Sequence, residues 1–341
     1  MRRIGPALAL FLISPLVAEY LLGDLPITLL GGLFALAPLY GGGAVLIREV
    51  VRRTGRGWPS IILLALAYGL VEEGLLTQSL FNPDYLHLRL LDHGFVPALG
   101  ISVPWTIFVL TLHVAWSISA PIAVTEALTR RGTRPWLRTK GVVVAGLAFL
   151  AGATFVAIES YSDGHFVATW PRLGTVAVLV ALLAVVALRL PRTTSRTAAP
   201  AVSGRAPAPW LVLVLGLAAG GAFMLLDRVA DSWPWWLTSA VAVAVLAGAI
   251  AFTSSGSRKA GWDDRHRLAV ASAALLTYAW RAFAARPLQA DLSRSVALAS
   301  HIIFGSAAVA LLVIAALRVR SQRSASLAVD AQPSHAGLGA R

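Results

Sequence analysis

Cysteine is absent from the 341 residues, which removes disulfides, thiolate metal sites and a cysteine nucleophile together. Charge is scarce: 13% of residues are Asp, Glu, Lys or Arg against 57% hydrophobic, and lysine occurs only at Lys140 and Lys259. So little charge, with a mean hydropathy of +0.73, excludes an ordinary soluble domain. What the chain holds instead is a series of apolar runs about 20 residues long, the length at which a helix crosses a bilayer. It reads as an all-α polytopic transmembrane helix bundle, multi-pass in the cell membrane with the lipid bilayer as its first partner.

The net charge of +13 would suggest nucleic acid in a soluble protein. Here the arginines gather in short loops, as the positive-inside rule predicts, so no nucleic-acid partner is expected. Apolar runs near 4–22, 27–47, 59–80, 103–126, 141–159 and 172–190 predict six spans, and runs near 210–226, 235–252, 268–283 and 295–317 predict four more. Between the halves, 191–209 is rich in Pro, Ala, Ser, Thr and Arg and predicts a disordered cytoplasmic linker. The expected domains are thus a membrane domain over 1–190, that linker, a four-helix domain over 210–317 and a disordered cytoplasmic tail over 318–341. Six plus four spans put Arg48, Arg52, Arg53, Arg56, Arg130, Arg131, Arg134 and Arg138 inside, with Asp24, Asp84, Asp92, Asp163, Asp227 and Asp231 outside, and both termini cytoplasmic. Arg281, Arg286 and Arg294 break the pattern by falling outside.

One stretch stands out, Ala67 to Asp84, because Glu72 and Glu73 lie inside an apolar run. A carboxylate at membrane depth is costly and usually faces a bundle interior or a wet path. Counted from an outer end at residue 80, the pair lies about 12 Å deep, and His113 lies about 15 Å deep on the next span, so the three can share one level. Successive residues differ by about 100° around a helix, which sets Glu72 on a face with Tyr68 and Glu73 on a face with Gly69 and Thr77. One acid is then expected to face the site while the other braces a neighbour. Desolvation and mutual repulsion predict that the pair holds a proton at neutral pH, with His113, one turn from Ser117, as its partner.

The same residues would equally serve as hydrogen-bond glue between spans. Glu19 and Glu159, near outer helix ends, either extend an acidic vestibule or are simply solvated. In the second run, Pro38 and Gly41-Gly42-Gly43 predict a broken helical ladder or a close neighbour. The long loop after 80, with Asn82-Pro83-Asp84, His87, Asp92 and His93, is expected to fold over the mouth of a site.

Over residues 67–126 the chain resembles the CPBP family, the intramembrane CAAX- and bacteriocin-processing type proteases, whose pattern is E-E-x-x-x-R followed by F-x-x-x-H and a third histidine motif. Glu72, Glu73 and His113 match; Thr77 stands in place of the arginine, Val109 in place of the phenylalanine, and no third motif is present. The resemblance implies that Glu72 would activate water, supported by Glu73 and His113. The chain is also similar to uncharacterised prokaryotic multi-pass membrane proteins.

Three functions follow from Glu72, Glu73 and His113: proton- or cation-coupled transport, which acids at membrane depth and a glycine-interrupted helix favour; an intramembrane glutamate protease; or a non-catalytic structural or assembly role. The substrate would be a small molecule, an ion or a membrane peptide. No motif asks for a cofactor, and the residues leave open whether a metal binds.

Overall fold

The computed structural model describes residues 4–129, 132–193, 203–229, 232–284 and 292–330. Met1 to Arg3, Arg130, Arg131, Asp231, Arg286, the linker stretch 194–202 and the tail stretch 331–341 lie outside the described residues.

Among the described residues ten long helices occupy the ten apolar runs: α1 Gly5–Leu21, α2 Ile27–Arg53, α3 Trp58–Leu76, α4 Val103–Leu128, α5 Thr139–Gly164, α6 Trp170–Arg189, α7 Pro209–Val229, α8 Trp235–Gly256, α9 Asp264–Ala284 and α10 Arg294–Asp330. Eight are long and apolar enough to cross a membrane; α1 is shorter, and α9, with Asp264, Arg265, Arg267 and Arg281, falls outside that set. Local chemistry starts several of them. Proline sits in the first turn of α3, α4 and α6, where its missing N–H costs nothing. The Ser102 hydroxyl caps α4 by accepting from the Trp105 amide at 3.2 Å.

Burial separates a centre from a rim. About half of the apolar stretch of α2, α3 and α4 is buried (50%, 56% and 50%), against 11–22% for α5, α6, α7, α8 and α10. Those five therefore turn most of their apolar surface outward, as Val144, Leu147, Val178 and Ile250 do, which is what a lipid-facing rim requires. The exception is α9. Leu268, Ala271, Leu275 and Tyr278 are buried, and its smaller apolar content fits a helix shielded by protein.

The two halves of the sequence share one core. Val17 and Leu21 of α1 and Trp116 and Val124 of α4 pack in a single cluster with Phe223, Met224, Leu275, Tyr278 and Leu312. At its middle the Trp116 ring stacks on Tyr278, 4.8 Å between centroids and 2° from parallel, and its indole N–H donates to the Ala274 carbonyl at 2.7 Å.

Two boundaries differ from those expected. Helix α3 ends at Leu76 rather than residue 80, because Thr77, Ser79 and Leu80 turn back onto Glu73: the Thr77 and Ser79 hydroxyls donate to its carboxylate, and the Leu80 amide to its carbonyl. Gln78 then takes a left-handed conformation, φ 56°, which no α-helix continues through. At the other end of the chain, α10 runs on to Asp330 instead of stopping at 317. Of the expected linker, Arg205 is described and bridges to Ala260.

Candidate functional site

Four helices meet at the glutamates, and each departs from α geometry there. Stretches with π-type hydrogen bonding cover Leu16–Leu21 in α1, Ala37–Gly41 in α2, Glu72–Leu76 in α3 and His113–Ser119 in α4. Among the described residues, α5 to α10 carry none. Such stretches are rare in helices at large and cluster at functional sites. The glycine signal in α2 meets both of its expectations. The ladder changes at Ala37–Gly41, and Gly41 lies so close to α1 that a Cβ there would fall 2.0 Å from the Phe11 carbonyl oxygen.

Glu72, Glu73 and His113 converge. They are 3%, 6% and 4% exposed, and each can present one ligand atom within 4.8 Å of the others. The imidazole lies between the two acids: Nε2 is 2.7 Å from Glu73 Oε1, and Nδ1 is 3.4 Å from Glu72 Oε2. Both acids therefore face the histidine, whereas the 100° spacing would have turned one of them away. A π-type turn spreads its side chains differently from an α turn, and Glu73 also braces the helix end with its second oxygen. Because that end is at Leu76, the 12 Å depth does not hold. The acids sit in the last turn of α3, under buried irregular backbone at Ser79, Leu80 and Asn82.

Aromatic and hydroxyl groups line the rest. Tyr40 stacks on His113 at 6.2 Å and 15° and donates to Glu19 Oε1 at 2.5 Å. Tyr68 stands 5.9 Å from the imidazole. Trp105 donates to Ser79, which holds Glu73. From the loop above, burial raises the Tyr85 phenol, as do the carboxyls of Glu73, Glu72 and Glu19 after it, so this side chain lies within electrostatic reach of all three. Glu19 joins the centre and Glu159 does not, being exposed on α5. Ser117 is buried nearby, and its carbonyl accepts from Ser14 at 2.5 Å.

Not every polar atom is satisfied. Glu72 Oε2, His113 Nδ1 and Tyr68 Oη are buried without a hydrogen-bond partner. Glu73 is an acceptor when ionised, so the imidazole donates to it through Nε2, which in the neutral ring leaves Nδ1 with a lone pair. That lone pair faces a carboxylate oxygen.

A second buried charge cluster was not visible in the sequence. Near the C-terminal ends of α2 and α4, Arg48 donates to Glu49 at 2.6 Å, to Glu126 at 3.1 Å and to the Gly132 and Arg134 carbonyls. Arg52 takes both oxygens of Glu126, at 2.8 and 2.7 Å. Glu49 also accepts from the Trp136 and Leu137 amides, and the Arg48 guanidinium lies 3.5 Å over the Trp136 ring. The sequence signal was Glu49, an acid within the basic run 48–56, which read as a solvated loop.

A cavity of about 610 Å³ lies elsewhere, among Arg205, Trp262, Asp263, Arg265 and His266 at the ends of α7, α9 and α10. Its charges are largely paired: Arg265 and His266 both bond Asp263 at 2.9 Å. The chemistry accordingly points to the closed Glu72, Glu73 and His113 centre rather than to the open cleft.

No curated protein and no solved structure matches the chain. A family model does match, over residues 8–328, and it is not that of the CPBP family which the α3–α4 segment resembles. The chain therefore belongs to an uncharacterized membrane protein family.

Proposed function

We propose that the protein is a cation-coupled transporter of the cell membrane, with Glu72, Glu73 and His113 as its coupling centre. One observation carries this reading: Glu72 Oε2 and His113 Nδ1 face each other 3.4 Å apart, both buried and both without a hydrogen-bond partner. With the imidazole neutral, two lone pairs so placed repel, and a cation between them, either a proton on Nδ1 or a bound ion, turns the repulsion into attraction. A centre that needs a cation and has no fixed positive side chain to supply it suits an exchangeable ion, and intramembrane acids commonly mark such a path.

The topology proposed with it has ten spans and both termini cytoplasmic, divided at the 191–209 linker. The Glu72 centre then lies toward the outside and the Arg48 cluster toward the inside. Reporter fusions after Arg53, Arg134 and Gly204 are expected to read cytoplasmic and one after Asp92 external; an external Gly204 would overturn the six-plus-four count.

Function is tested in proteoliposomes carrying a pH-sensitive dye and challenged with gradients of protons, Na⁺ and Mn²⁺ in turn. Wild-type protein is expected to give a flux that empty vesicles and Glu72→Gln lack. Absence of flux under every gradient would refute the transport reading.

The same meeting of two acids and an imidazole within 4.8 Å suits activation of a water molecule, which favours a CPBP-like protease as the second reading. Cleavage of a membrane peptide that needs Glu72, in the absence of flux, is its signature. A folded protein silent in both assays fits a structural or assembly role.

A further inference from the structure

We infer that the ion held at this centre is a divalent transition metal, bound by the carboxylate of Glu72 and Nδ1 of His113, with Glu73 orienting the imidazole. The role in coupling rests on the transport reading above; occupancy of the site can be measured without it.

Distance argues against a proton alone. An N–H···O bond spans about 2.7–3.2 Å with good alignment. The Nδ1 to Oε2 separation is 3.4 Å, and neither atom satisfies the other as a hydrogen-bond partner. Two ligands each about 2.0–2.1 Å from one zinc-like ion, at a tetrahedral angle, stand about 3.4 Å apart.

The surroundings of the histidine point the same way. A metal-bound imidazole almost always gives its other ring N–H to a carboxylate or carbonyl, which fixes the tautomer and turns the free lone pair toward the ion. Glu73 Oε1 at 2.7 Å from Nε2 is that partner, itself held by Ser79 and Thr77. Tyr40 and Tyr68 pack beside the ring. Among the described residues no lysine or arginine forms an ion pair with Glu72 or Glu73; their ion-pair partner is the His113 ring, so two carboxylates share a single ionisable base.

The donor set chooses the class. One imidazole with carboxylates and no thiolate suits zinc, manganese or ferrous iron rather than copper(I).

The test uses the purified full-length protein in detergent, free of any histidine tag, titrated with Zn²⁺ and Mn²⁺ and analysed for bound metal after gel filtration. One ion per chain is expected. Glu72→Gln and His113→Gln should weaken binding at least about 100-fold, and Glu73→Gln about 10- to 100-fold, the range for loss of an orienting partner. His266→Gln, at the separate His266–Asp263 pair, should leave the stoichiometry unchanged. Should a centre variant fail to fold, wild-type protein loaded with Cu²⁺ still answers, since its paramagnetic resonance should show coupling to one imidazole nitrogen. Wild type that binds no stoichiometric ion, or binding lost in His266→Gln but kept in Glu72→Gln, would overturn the inference. If flux runs on protons and no metal binds, the metal falls while the transport reading stands.

Discussion

Two charged clusters are buried, one joining α2 to α4 around Arg48 (inner in the proposed topology) and one joining α3 to α4 around Glu72 (outer in it), and they are completed to different degrees. In the inner one, each nitrogen of Arg48 and Arg52 and each carboxylate oxygen of Glu49 and Glu126 has a partner. In the outer one, Glu72 and His113 each keep a buried atom without one. A buried charge left unpaired costs several kcal/mol, so the inner cluster has removed a penalty that the outer one retains. Closure marks a joint between α2, α4 and the loop after it; the open pair marks a place for something that arrives from outside.

The largest expected effect is at the closed cluster. Arg48→Met removes the group that joins Glu49, Glu126 and two carbonyls, and should destabilise the protein by about 3–5 kcal/mol, the usual cost of breaking a buried ion pair from one side. Thermal unfolding in detergent would show it. A tolerated Arg48→Met would erase the contrast between the clusters.

A much smaller change in stability is expected at the open pair. Glu72→Gln keeps shape and removes a charge whose nearest ionisable partner is the His113 ring at 3.4 Å, so stability should hold or rise by about 1 kcal/mol, the size of one net hydrogen bond. A loss as large as that of Arg48→Met would make the outer cluster structural glue after all.

The smallest effect belongs to a surface pair. Burial acts to raise the Asp263 carboxyl, but hydrogen bonds from His266 and the Arg265 backbone, with the Arg265 charge, outweigh it and hold it below its ordinary value. A carboxyl lowered in the folded state stabilises above its unfolded pKa, near 3.9, and loses that contribution as pH falls through the folded value. Since Asp263 is 36% exposed, the gain is discounted to a few tenths of a kcal/mol. The difference in melting temperature between wild type and Asp263→Asn should be present at pH 6 and shrink toward pH 3. A difference that grows on acidification would contradict this.

Much of this was legible in the residues. Twenty-residue apolar runs located the ten long helices among the described residues, and Glu72, Glu73 and His113 stood out as polar residues inside such runs, although the depth counted for the acids rested on an end at residue 80 that lies at Leu76. The end of α3 was not legible, since Thr77 and Ser79 fold back only because Glu73 is there to receive their hydroxyls. Nor was the convergence of both acids on one ring, because ideal helical spacing separates adjacent residues and no local propensity announces a π-type turn. The inner cluster stayed hidden for another reason. Arg48 and Glu126 are 78 positions apart, and their pairing exists only once α2 and α4 pack.

The π-type stretch at Glu72–Leu76 also bears on which genetic changes α3 can absorb. It holds a residue more than a regular ladder needs, so deleting Gly74 would let the helix close into plain α form instead of breaking it. Everything beyond the deletion would swing by about 100°. The shortened helix should insert with unchanged circular dichroism while the fold-back onto Glu73 is lost. Length variation is therefore the route by which this helix can keep its span and discard its chemistry.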